Sequence, residues 1–148
     1  MQQLSATERD LVGRFNADAM LSQVQAWSAV NTGTRNLDGL ARQWDLLAEA
    51  FSDLPGEIRK VEPARVTAIA ADGREEEVGH GAHFVLSVRP QAARRYLLTG
   101  HMDTVFPATH AFQQQRWLDD ETLNGPGVAD MKGGIAVILA ALAAFETS

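Results

Sequence analysis

His101 and Asp103 are separated by a single residue in Gly100-His-Met-Asp-Thr-Val105. In extended chain, side chains two apart point the same way. A histidine that binds a metal through one ring nitrogen commonly gives its other N–H to a carboxylate, which fixes tautomer and orientation. Asp103 is therefore spaced to support His101 as a ligand. His-x-Asp alone is short and common, and a strand-end histidine beside a capping aspartate accounts for it more readily. A third residue changes the balance. Asp130 follows 29 positions later (130 − 101) in Asn124-Gly-Pro-Gly-Val-Ala-Asp130-Met-Lys-Gly-Gly134. Gly125 and Gly127 allow the chain to bend tightly there. A carboxylate has two oxygens and can bridge two divalent ions, which lie roughly 3.5–4 Å apart in two-metal hydrolases; the plainer use of an aspartate there is to cap the next helix. The chain contains no cysteine, so any metal takes nitrogen and oxygen ligands.

The same glycine-rich loop does not suit a nucleotide. A phosphate loop needs Gly-Lys-Ser/Thr, whereas Met131 precedes Lys132 and Gly133 follows it. The dinucleotide fingerprint needs a small third residue, and Asp130 would repel a pyrophosphate. With a formal net charge of −6 and a pI near 5.1, the chain has no basic stripe for nucleic acid. Arg94-Arg95 reads as a solvated loop, Glu75-Glu76-Glu77 as a solvated hairpin edge, and His80, His83 and His110 as turn or loop residues. Lys132 could attract a substrate carboxylate, but a lysine entering a helix reads first as solvated. Trp27 and Trp44 fit apolar helical stripes and are read as core; Trp117 gives no reason to choose.

These residues need a scaffold. Leu11, Phe15, Met20, Val24 and Trp27 recur at helical spacing after Thr7-Glu-Arg-Asp10, and Asn31-Thr-Gly-Thr34 breaks the run. Leu37, Leu40, Trp44, Leu47 and Phe51 predict a second helix, starting near Asn36 or Asp38 and stopped by Pro55-Gly56. Alternation at 66–70, a turn at Asp72-Gly73 and alternation again at 83–89 predict strands. Tyr96 to Gly100 reads as a strand buried on both faces. Residues 115–118 and 122–124 form a short hairpin, and Ile135 to Phe145 a helix apolar nearly all round, packed deep against a sheet. That run is too short to span a bilayer, and Met1 to Asp10 lacks the basic and apolar regions of a signal peptide, so a cytoplasmic location is expected. The order of elements predicts an α/β fold, a mixed sheet flanked by helices, with His101 and Asp130 at the carboxyl end of the 96–100 strand.

Leu97-Leu-Thr-Gly-His101-Met-Asp103-Thr-Val-Phe-Pro, followed by Leu123-Asn-Gly-Pro-Gly-Val-Ala-Asp130-Met-Lys-Gly-Gly-Ile-Ala, resembles the co-catalytic zinc peptidases. That superfamily includes carboxypeptidase G, acetylornithine deacetylase, succinyl-diaminopimelate desuccinylase and aminoacylase. Val30-Asn-Thr-Gly-Thr-Arg-Asn36-Leu-Asp-Gly39 looks like the early segment of the carboxypeptidase G branch. The resemblance implies that residues 1–148 are the N-terminal portion of a zinc-exopeptidase catalytic domain. It implies two Zn2+ per complete site, with Co2+ or Mn2+ as substitutes. His101 would be a ligand of one zinc, Asp130 the bridging carboxylate, and Asp103 the catalytic aspartate that holds the histidine. The implied reaction is hydrolysis of a peptide or acyl-amino-acid amide, in full-length homodimers, with no nucleic acid or membrane partner. The family's adjacent glutamate pair, a further acidic ligand, a late histidine and the lid domain find no match after Gly134. A catalytic zinc takes about three protein ligands plus water, so the 148 residues by themselves are expected to be inactive. The competing expectation is a degenerate relative, a weak metal-binding or interaction module without catalysis.

Overall fold

Local capping sets the helices of the computed structural model, which describes residues 4–147; residues 1–3 and 148, the outer ends of the two terminal segments read above, lie outside it. Ser5 and Glu8 form a reciprocal capping box that opens helix α1 (Ala6–Gly13). Asn16 then accepts the Ala19 N–H at 3.0 Å and starts helix α2 (Ala17–Ser28). The single stretch expected from Thr7 to Trp27 is therefore two helices, because the Asn16 side chain satisfies a fresh first turn. Asn36 caps helix α3 (Leu37–Phe51) through the Gly39 N–H at 3.2 Å. The buried residues of α3 are Leu40, Gln43, Leu47 and Phe51, stepping by three and four as one helical face.

Six short strands follow among the described residues, in three antiparallel pairs. Strand β1 (Glu57–Val61) pairs with β4 (His83–Ser87), with Ile58 opposite Leu86 and Lys60 opposite Phe84. β2 (Val66–Ile69) and β3 (Glu75–Val78) form the hairpin expected around Gly73, whose φ of 83° suits a residue without Cβ. Glu75, Glu76 and Glu77 are all exposed, on both faces of the hairpin. β5 (Arg116–Trp117) and β6 (Leu123–Asn124) make the expected short hairpin. The chain ends in helix α4 (Gly133–Glu146). Val24 and Trp27 of α2, Leu47 and Phe51 of α3, Leu54, and Ile135 and Ala136 of α4 form the core, with Ile58, Phe84 and Leu86 of the β1–β4 pair packed against it. Helices and small antiparallel sheets thus make up a mixed α/β structure.

Two expectations fail. Tyr96 to Gly100 is not a strand: it joins no ladder among the described residues, and Tyr96 and Leu97 are each 87% exposed. A strand buried on both faces needs a hydrogen-bonding neighbour on each edge, and β1 and β4 pair with each other instead. Helix α4 is likewise not deeply packed against a sheet. It lies against α1 and α2, buries Ile135, Ala136 and Ala144, and leaves Val137 and Phe145 exposed. Val128–Glu146 reaches the length and apolarity of a membrane span. Asp130 and Met131 have non-helical backbone angles, however, and the regular helix begins at Gly133.

Candidate metal centre

Both motif loops are anchored on the end of α2 and the residues just after it. On the His101 side, the Thr104 N–H donates to Thr32 O at 2.8 Å and the Thr34 N–H to Thr104 O at 3.1 Å, around a parallel bridge between Gly33 and Thr104. A Cβ on Gly33 would lie 2.6 Å from Phe106 O, so the two segments meet backbone to backbone. Asn31 closes the junction, its amide nitrogen donating to Phe106 O at 3.0 Å and Gln113 Oε1 at 2.8 Å. On the Asp130 side, buried Ser28 donates to Pro126 O at 2.7 Å. Gly127 takes φ 73° and passes so near Thr104 that a Cβ would sit 3.0 Å from its methyl group. The loops therefore touch each other as well as α2.

This framing brings the three sequence candidates together. His101 Nε2 lies 2.9 Å from Asp130 Oδ1, and Nδ1 lies 3.2 Å from Asp103 Oδ1 and 3.1 Å from Asp103 O. The imidazole is held between two carboxylates. Desolvation works against its charged form, but the hydrogen bonds to Asp130 and Asp103 and the two negative charges outweigh it, and its pKa is raised. The site is open: the Asp130 side chain is 84% exposed and that of His101 47%. His101 and Asp103 line a cavity of about 870 Å³ whose other walls include Leu98, Ile135 and Ile138.

The donors suit a divalent transition ion in part. Two ligands at about 2.0–2.1 Å from a tetrahedral zinc stand roughly 3.3 Å apart, near the observed 2.9 Å between His101 Nε2 and Asp130 Oδ1. Nitrogen and carboxylate oxygen are ordinary zinc donors, and the carboxylate behind Nδ1 is the usual supporting group. Asp103 faces the far side of the ring, so the converging donors number two. Among the described residues no group of three or more His, Cys, Asp or Glu is placed to hold a metal.

Lys132 is not solvated. It is 0% exposed, and its Nζ donates to Trp27 O and Val30 O, each at 2.9 Å. Burial lowers its pKa from 10.5 to about 8. The ammonium ties up carbonyls at the end of α2, where the helix dipole favours a cation, and is unavailable to a substrate carboxylate. The other three histidines make other contacts: His80 Nε2 lies 3.3 Å from the Arg35 guanidinium, His110 Nδ1 accepts the Phe112 N–H, and His83 is not a turn residue but opens β4 opposite Val61, because that strand pairs with β1 from its first position. Trp27 is fully buried, as read. Trp44 is half-buried, donating to His83 O with its face under Lys60, and Trp117 is 48% exposed. Thr34 was missed: its hydroxyl donates to Asp103 Oδ2 at 2.6 Å. The signal available was a polar, glycine-containing break whose side chains had to satisfy something.

The chain is similar to known peptidases over this region. Residues 97–148, which carry both motifs and α4, match peptidase family M20/M25/M40. The chain is also similar to Carboxypeptidase G2 of Pseudomonas sp. (strain RS-16), with 25% identity over 121 residues, 82% of this chain and 26% of that protein. The chain thus spans about a quarter of the length of that relative. The family match agrees with the resemblance to the co-catalytic peptidases, and the similarity to Carboxypeptidase G2 points to their carboxypeptidase G branch.

Proposed function

We propose that the chain forms part of a metal-dependent amide hydrolase, in which His101 Nε2 and the Asp130 carboxylate hold a zinc ion and Asp103 orients His101. The observation that carries this reading is the convergence of His101 and Asp130 to 2.9 Å with Asp103 on the opposite ring nitrogen. An ion held there supplies a bound water of lowered pKa and positive charge near a developing oxyanion. The chain's own residues supply the rest of what is visible. Asp103 fixes which way the ring faces, and Asp130 offers a second, exposed oxygen on the side from which a peptide or N-acyl amino acid would approach. A second reading, a weak metal-binding module without catalysis, is favoured by the count of converging donors.

Zinc titration and dialysis of the 148-residue polypeptide test the proposal. Weak zinc uptake that His101→Ala and Asp130→Asn each abolish is the expected result, with two retained zincs and hydrolysis of acyl-amino acids both absent. Zinc uptake unchanged in His101→Ala would refute the ligand assignment. Hydrolysis lost on His101→Ala would show that the polypeptide is catalytic by itself.

A further inference from the structure

We infer that Thr34 is the positioning residue of this centre, the group that locks Asp103 in the orientation from which it holds His101. The inference rests on the proposed role of His101 as a ligand. The Thr34 hydroxyl has one proton and two acceptors in reach, Asp103 Oδ2 at 2.6 Å and Thr104 O at 3.3 Å. The shorter contact has the length of a charge-assisted O–H···O⁻ bond and takes the proton. With Oδ2 so engaged, Oδ1 is the oxygen left facing His101 Nδ1 at 3.2 Å. An aspartate carboxyl otherwise turns through a broad torsional well. Thr34 removes that freedom.

Thr34 is itself fixed on both sides. Its N–H donates to Thr104 O, and Thr104 is the residue next to Asp103. Its other neighbour, Gly33, is pressed against the Phe106–Pro107 backbone with no space for a Cβ. Threonine is stiff at χ1 because it is branched at Cβ, so the hydroxyl is delivered from a rigid mount. A chain of contacts follows: Thr34 orients Asp103, Asp103 holds Nδ1 of His101, and Nε2 is left pointing at Asp130. The first and last links join different segments and the middle one is local, so the orientation of the His101–Asp103 pair is set by tertiary partners at both ends.

The test compares the wild-type 148-residue chain with Thr34→Val, which keeps the shape and loses the hydroxyl, and with Thr34→Ser, which keeps the hydroxyl. Long-range ¹H–¹⁵N correlation spectra read the tautomer of His101, identified by the signal lost in His101→Ala. At a pH where the ring is neutral, Asp103 and the Asp130 carboxylate 2.9 Å from Nε2 compete for its proton, and wild type and Thr34→Ser are expected to share the same Nδ1–H fraction. Thr34→Val is expected to shift population toward Nε2–H and to weaken binding of Zn2+, titrated alone, by about tenfold, as for loss of an outer-shell partner. An unchanged tautomer in Thr34→Val, or a serine variant that behaves like valine, overturns the inference. A measurement on the wild type stands whether or not the valine variant folds: deuterating the Thr34 hydroxyl is expected to shift the Asp103 carboxyl ¹³C resonance, and no shift overturns it. The two proposals fail differently. A tautomer that moves in Thr34→Val, with zinc uptake indifferent to His101→Ala, upholds the positioning role and removes the ligand role. Zinc uptake lost in His101→Ala, with the tautomer unmoved in Thr34→Val, does the reverse.

Discussion

Replacing Lys132 with alanine should destabilise the protein well beyond anything expected of a surface lysine. The side chain runs past Gly127, where an added Cβ would lie 3.1 Å from Lys132 Cδ, and ends between Trp27 O and Val30 O. Truncation to alanine removes three buried methylenes, worth about 2 kcal/mol at roughly 0.8 kcal/mol each. It also leaves the Val30 carbonyl without its donor, at about 1–3 kcal/mol, and takes a second hydrogen bond, worth about 1 kcal/mol, from the Trp27 carbonyl, which keeps the Val30 N–H at 3.1 Å. One term opposes these. The wild-type ammonium is strained by burial, and the drop of its pKa from 10.5 to about 8 corresponds to about 3 kcal/mol at 1.36 kcal/mol per unit. The balance is a loss of about 1–3 kcal/mol, against a domain stability on the order of 5–15 kcal/mol. Lys132→Met refills the space and should be milder than alanine by about 2 kcal/mol, the packing term alone.

Urea unfolding monitored by circular dichroism supplies the first measurement, with the midpoint falling at constant slope. Native-state acylation followed by mass spectrometry supplies the second. The sequence has two lysines, exposed Lys60 and buried Lys132, so each is the other's control. Lys60 should be modified quickly and Lys132 only after unfolding. A Lys132→Ala variant within about 0.5 kcal/mol of wild type, the range of an ordinary surface change, would refute the buried-cap assignment. So would labelling of Lys132 at the rate of Lys60.

Two further outcomes follow from the packing of the loops. Gly33→Ala places a methyl 2.6 Å from Phe106 O and 2.9 Å from Pro107 Cα; overpacking of this kind costs about 1–3 kcal/mol, and amide exchange at Thr34 and Thr104 should quicken as their bridge opens. At the far end of α4, Arg89 grips Glu146 in two parallel bonds of 2.7 and 2.6 Å. The Arg89 hydrogen bond holds the Glu146 carboxyl below its ordinary 4.5, so the pair's stabilisation is complete above that value and is lost as pH falls through the folded one. Arg89→Ala should lower the melting temperature slightly at pH 7 and low salt, and the gap from wild type should close in acid and in high salt.

The parts of this centre that could be read from the chain are those whose residue type is itself chemical. Histidine and aspartate at a spacing of two, and an aspartate inside a glycine-rich turn, announce ligands wherever the chain goes. Helices α2 and α3 were legible for a related reason, since a 3.6-residue period and an asparagine cap are local. What escaped was set by tertiary partners. Tyr96 to Gly100 has the composition of an interior strand, but a strand exists only where neighbours pair with it, and here none does. Lys132 looks like any lysine at a helix start, and its burial depends on carbonyls about a hundred positions earlier. β1 was missed because its charged Glu57, Arg59 and Lys60 are exposed and obscure the pairing of Ile58 and Val61 with β4.

The same consideration explains why a short stretch with no ligand in it governs the site. Between Trp27 and Thr34 the chain presents, in order, a carbonyl to Lys132, the Ser28 hydroxyl to Pro126, a second carbonyl to Lys132, the Asn31 amide to Phe106 and the Thr34 hydroxyl to Asp103. The first three fix the loop that carries Asp130, and the last two fix the loop that carries His101. The separation of the two donor atoms is thus the difference between two positions referred to one rigid segment, and neither loop needs to be stiff by itself. Glycines can then be used freely in the Asp130 loop, where the backbone must turn at φ 73° and pass within contact of Thr104, without making the donors' spacing loose. Substitutions in the 27–34 segment should consequently disturb metal affinity and stability together. A change confined to the exposed Asp130 carboxylate, such as Asp130→Asn, should remove affinity and leave the melting temperature nearly where it was.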